Sequence, residues 1–251
     1  MSAIEISCIV LTCVFGGALL GMALHRILPE HHLSADSKDV IKLGMALTAT
    51  MSALVLALLI NSAKGSYDTQ RNEVIQLSAN VILLDRVLAH YGPETKEARE
   101  SLRLTVAGTI DQIWPENHLS RAESASTATA SSAFYDRIQQ LSPHNEDQRM
   151  LQAQALKMAI DTGQTRWLLF EQGGHSIPMP FLVLLIFWVT IIFLSFGLFA
   201  PPNATVIATL FLCALSVSGA IFMILELDRP FGGLIQISSA PLRNAATEVG
   251  K

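Results

Sequence analysis

The sequence predicts an all-α membrane protein, with four transmembrane helices and a helical cytoplasmic insert between spans two and three. Three observations predict it. The chain of 251 residues is only 15% charged, whereas a soluble domain carries about a quarter charged residues. The shortage is local, because residues 6–24, 43–63 and 176–225 contain no charge at all. Between these runs lies a segment, residues 64–175, that is soluble in composition and helical in its apolar spacing.

A helix needs roughly 20 apolar residues to cross a bilayer. Span one is expected at 4–26 as a mature helix, since the only early charge is Glu5 and no basic region precedes a cleavage site. Span two is expected at 40–63. The long run 176–225 divides at FAPPNAT, residues 199–205, where Pro201 and Pro202 break one helix and Asn203 can cap the next. That gives span three at 178–198 and span four at 204–225. Four such runs fit no ordinary soluble core. Gly17 and Gly21 form a small-xxx-small pair in span one, a spacing that lets helix backbones approach closely.

Residues 1–63 thus hold spans one and two, 64–175 the insert, 176–225 spans three and four, and 226–251 a tail. Lys and Arg near the span ends favour the side that carries Lys64, Arg71, Arg166, Arg229, Arg243 and Lys251. This bias places both termini, the insert and the tail in the cytoplasm of a multi-pass inner-membrane protein.

In the insert, Val74, Leu77, Val81, Leu84 and Leu88 repeat at spacings of three and four, the seam of a helix bundle. No Pro separates this seam from span two, so one helix is expected from about 40 to 90. Gly92 and Pro93 should end it and start the next, over 93–113, closed by Trp114-Pro115. Residues 117–132 read as a linker, 131–141 as a short helix, and a longer helix runs from Pro143 toward Gly173-Gly174.

Chemistry is sparse. There is no GxSxG, P-loop, HExxH or CxxC pattern, so an enzyme is not expected and no cofactor or metal is implied. Cys8, Cys13 and Cys213 all fall inside spans as small packing residues, and His31-His32 is too little for a metal site. Over residues 68–171, 14 acidic side chains face 10 basic ones, which leaves no patch for nucleic acid. The expected partners are the lipid bilayer, further copies of the chain, and inorganic ions.

Span two carries the sharpest feature. Ala46, Thr50, Ala53, Ala57, Asn61 and Lys64 form a narrow stripe of small and polar side chains on a helix otherwise rich in Leu and Met. Such a stripe permits close helix packing; it can equally line a narrow pore. On the pore reading, Thr50, Ala53, Ala57, Asn61 and Lys64 line the path. At the end of span four stands a second polar group, Glu226, Asp228 and Arg229, followed by a Pro-Phe-Gly-Gly turn that can fold the tail back on the insert. The Asp85–Arg86 pair is a candidate partner for it.

Three stretches in order carry a resemblance: SAKGSYDTQRNEV at 62–74, LLDRVLAHYGPETKEAR at 83–99 and LELDRPFGGLIQISSAPLR at 225–243. With the four spans, the chain resembles the bestrophin-like family of bacterial and plant four-span membrane proteins. More remotely it is similar to the bestrophins, pentameric ion channels that carry an Asn-Pro-Phe-Gly turn after the last span. That resemblance implies a ring of subunits, five in those channels, with span two innermost. The sequence departs from theirs in three ways: Arg229 stands in place of Asn, residues 234–243 lack an acidic cluster, and span two has no aromatic neck. Calcium gating through such a cluster is therefore not implied. The function expected is an oligomeric ion channel; the alternative is a non-conducting scaffold or signalling module that binds partners through its insert.

Overall fold

The computed structural model describes residues 2–28, 35–114, 132–171 and 177–250. Among them every regular element is a helix. In chain order these are α1 (Ala3–Ile27), α2 (Ala35–Tyr91), a 3₁₀ turn (Pro93–Thr95), α3 (Lys96–Ile113), α4 (132–139), α5 (Glu146–Glu171), α6 (Met179–Phe199), α7 (Ala204–Leu227) and α8 (Ala240–Glu248). Four of them, α1, α2, α6 and α7, are long and apolar enough to cross a membrane. The linker expected at 117–132 and the His31-His32 and Gly173-Gly174 positions lie outside the described residues, apart from Ser132 at the start of α4. The chain divides into two compact units. One holds Met1–Tyr67 and His175–Asp228; the other holds Asp68–Gly174 and Arg229–Lys251. α2 runs through both without a break.

The first unit is built on α1, which packs against α6 and α7. Ser2 and Glu5 start α1 with a reciprocal cap: the Glu5 amide donates to Ser2 Oγ and the Ser2 amide donates to the Glu5 carboxylate. Asn203 caps α7, its side-chain oxygen accepting from the Val206 amide at 2.8 Å. Where α1 meets α6, both helices are stripped to glycine. A Cβ on Gly21 would fall onto the Leu194 carbonyl oxygen, and one on Gly197 onto the Ala18 carbonyl oxygen. The backbones therefore interlock directly. α7 is tied in by Ser218, whose buried hydroxyl donates to the Ser7 carbonyl at 2.7 Å, and by an edge-to-face pair of Phe15 and Phe211. Val10, Val14, Leu185, Ala214, Ile221 and Ile224 fill the space between.

In the second unit the expected seam is the core. Val74, Leu77, Val81, Leu84 and Leu88 are all buried, with Leu102, Val106 and Ile110 of α3, Phe134 and Ile138 of α4, and Leu242 and Ala245 of α8. The α2–α3 corner needs a glycine, since Gly92 has φ 139°. Its exposed carbonyl ends are satisfied by side chains: Thr95 Oγ1 donates to the Leu88 oxygen at 2.7 Å and Gln148 Nε2 to the Tyr91 oxygen at 3.0 Å. Gln152 does the same for the end of α4, donating to the oxygens of Ile138 and Leu141.

The α1–α6 contact makes a direct prediction. Gly21→Leu should lower the melting temperature of the detergent-extracted protein and reduce its yield, because backbone atoms cannot move aside as a side chain can; overpacking of this kind costs about 1–3 kcal/mol or more. Gly16→Ala, which meets no atom within 4 Å, should melt like the parent. Equal melting of the Gly21 variant and the parent would contradict the interlock.

Candidate functional site

The apolar part of α2 is the least covered of the four long apolar helices. Within its most hydrophobic stretch 11% of the residues are buried, against 39% in α1, 33% in α6 and 22% in α7. The helix therefore touches the rest of its own unit along a thin line: Ser52, Leu59 and Ala63 are buried, and Val55 and Leu56 pack beside them. With Ser52 at zero, successive residues turn by about 100°. That puts Leu59, Ala63, Val55 and Leu56 within roughly 60° of the line.

The exposed arc splits in two. Thr50, Ala53, Ala57, Asn61 and Lys64, all exposed, fall at about 100–180°. Leu47, Leu54 and Leu58, exposed by 65%, 62% and 68%, fall at about 200–240°. One stripe is small and polar, its neighbour large and apolar. The Thr50 hydroxyl turns back to donate to the Ala46 carbonyl at 2.9 Å, so what this residue presents outward is largely its methyl and a satisfied oxygen.

The polar group at the end of α7 is differently placed. Glu226 and Asp228 are buried and Arg229 is half-buried. The Asp228 amide donates to the Ile224 carbonyl and ends the helix. The turn that follows is closed by its own backbone: the amides of Gly232 and Gly233 both donate to the Arg229 carbonyl, and the Ile237 amide donates to the Pro230 carbonyl at 2.8 Å.

In the second unit, that turn leads the tail onto α3. Phe231 stands edge-on to Trp114, with centroids 5.4 Å apart, and Trp114 Nε1 donates to the Ile237 carbonyl at 2.8 Å. α8 packs on α3. Asp85 and Arg86 are adjacent and point about 100° apart on α2. Arg86 is exposed. Asp85 is buried and receives a two-pronged contact from Arg99, Nε to Oδ1 at 2.7 Å and Nη2 to Oδ2 at 2.8 Å. The bonded carboxylate raises the Arg99 pKa still further. The Gly250 amide donates to the same Asp85 oxygen at 3.3 Å. One buried carboxylate thus joins α2, α3 and the extreme tail. Arg99 and Trp114, the residues that make these contacts, were not among the sequence candidates. Among the described residues no cluster of His, Cys, Asp or Glu is arranged to hold a metal ion.

The model of one family, described as the bestrophin-like domain, matches residues 12–242, all but the first eleven and last nine residues of the chain. The chain belongs to the bestrophin-like family. A solved structure of the same fold is a bacterial bestrophin homologue from Klebsiella pneumoniae carrying a W252A mutation, with a TM-score of 0.73 and 13% sequence identity over 99% of this chain and 97% of that one. No curated protein matches in sequence. As a bestrophin-like membrane protein, the chain uses α1, α2, α6 and α7 as its transmembrane helices.

The Asp85–Arg99 pair in this bestrophin-like chain should be mutually dependent. Asp85→Asn and Arg99→Gln should each destabilise the protein by about 1–3 kcal/mol, the cost of leaving the buried Asp85 or the half-buried Arg99 without its charged partner. The double variant should lose clearly less than the sum of the two. Melting curves of the four proteins measure this, and additive losses would mean the two groups act separately.

Proposed function

We propose that the chain is an ion channel of the inner membrane, assembled as a ring of identical subunits with α2 nearest the axis. The observation that carries this reading is the divided outer arc of α2. A transmembrane helix with so little cover from its own subunit must meet lipid, water or another copy. A stripe of Thr50, Ala53, Ala57, Asn61 and Lys64 gains little from lipid and suits a narrow wet path, while the Leu47, Leu54 and Leu58 stripe beside it suits the flank of a neighbouring α2. A closed ring repeats the same pair of contacts at every subunit boundary. Family membership supports the reading, since bestrophins are channels. Lys64, at the end of the stripe, would set the charge at the cytoplasmic mouth, and the Lys/Arg bias puts residues 64–175, the tail and both termini on that side.

The test is reconstitution in planar bilayers. Wild-type protein should conduct. Ala53→Trp and Ala57→Trp should reduce conductance at least tenfold while the oligomer elutes unchanged, because bulk added to a constriction blocks it. Lys64→Glu should shift the reversal potential in a salt gradient toward cations. A ring that stays silent under every ion, voltage and pH, or conductance indifferent to tryptophan at both positions, would favour the non-conducting scaffold instead.

A further inference from the structure

Three stretches of chain join the second unit to the transmembrane helices: the middle of α2, the residues between α5 and α6, and the turn after α7. Only residues 200–203 connect α6 to α7, so the start of α6 and the end of α7 lie at the same leaflet. Close to both, the second unit exposes large apolar side chains. Trp167 and Leu168, in the last turns of α5, are 61% and 50% exposed, and Leu234, in the turn after α7, is 76% exposed. Trp167 and Leu234 each keep an interaction within the protein. They are held in place while most of their surface stays open.

Chain length limits how far these groups stand from the bilayer. Leu234 follows Leu227, the last residue of α7, by seven residues. Seven residues reach about 25 Å when fully extended. This stretch is shorter than that, because the Gly232 and Gly233 amides fold back onto the Arg229 carbonyl. Leu168 stands nine residues before Ile177, which is buried in the same core as Val10, Leu185 and Ile221. The exposed apolar surface also continues on the spans themselves, through Met179 and Phe181 in the first turn of α6 and Met223 near the end of α7.

A single exposed apolar side chain needs no explanation. Met150 is of that kind. It is 64% exposed, but it lies 17 residues before Trp167, about 25 Å back along α5 from the end that leads to α6. Trp167, Leu168 and Leu234 differ in being gathered where two connections enter the bilayer. Tryptophan, apolar in its rings and polar at its N–H, suits the boundary between head groups and acyl chains. We propose that Trp167, Leu168 and Leu234 seat in that boundary, in the leaflet entered by α6 and α7. The contact fixes the end of α5 and the turn after α7 at one depth, and it stands whether or not the chain conducts.

The experiment uses the full-length chain, freed of its own cysteines, in phosphatidylcholine nanodiscs. Trp167→Cys, Leu168→Cys, Leu234→Cys and Met150→Cys each carry a nitroxide spin label. Power-saturation EPR then reads the label's collisions with oxygen, which concentrates in lipid, and with a polar nickel chelate, which stays in water. Nickel collision at 167, 168 and 234 should be at least about fivefold lower than at 150, because a polar chelate is excluded from the acyl boundary. Oxygen collision at the same three positions should equal or exceed that at 150. Elution volume and melting temperature establish that each variant is folded, and positions 168 and 234 decide the question if Trp167→Cys does not fold. Nickel collision at 168 or 234 equal to that at 150 would place these side chains in water and overturn the proposal. Low collision with both reagents would overturn it as well, since the cover would then be protein, such as a second copy of the chain.

Discussion

Inside a bilayer every backbone amide and carbonyl must find its partner within the protein, and α2 meets that constraint across its apolar half and continues as one unbroken helix of 57 residues. Its apolar half packs along one line, through Leu59 and Ala63, on the core formed by α1, α6 and α7. Its second half is wrapped by α3 and α8 through the Leu84–Leu88 seam and the Asp85–Arg99 pair. A helix with one face committed at each level leaves the opposite face of its apolar half for something outside the subunit. That uncommitted face is what turns a four-helix membrane protein into a candidate channel subunit.

Much of this architecture is legible in the sequence. Spans expected at 4–26, 178–198 and 204–225 appear as Ala3–Ile27, Met179–Phe199 and Ala204–Leu227. Runs of some twenty apolar residues and a Pro-Pro break have few alternative meanings. The continuity of span two with the seam also follows, since no Pro lies between them. It begins somewhat earlier than expected, at Ala35 rather than near 40.

Other features were hidden for identifiable reasons. α8 has a polar, nine-residue sequence, and its helix is stabilised by the burial of just Leu242 and Ala245 against α3. Nothing local announces it. The Asp85–Arg99 contact did leave a trace. Each residue lies seven positions from Gly92, so a tight α2–α3 corner places them at the same height on antiparallel helices. The Asp85–Arg86 pair stood out in the sequence only as a candidate partner for Glu226, Asp228 and Arg229, and Arg99 was passed over.

The central claim is that the small and polar stripe of α2 faces water while the leucine stripe beside it is covered. Single cysteines placed along residues 46–64 of a cysteine-free chain, in reconstituted vesicles, can be scored for reaction with a membrane-impermeant thiol reagent. The account predicts fast modification at Thr50, Ala53, Ala57 and Asn61 and slow modification at Leu47, Leu54 and Leu58. Protection of all the small positions, or equal reactivity around the helix, would contradict it.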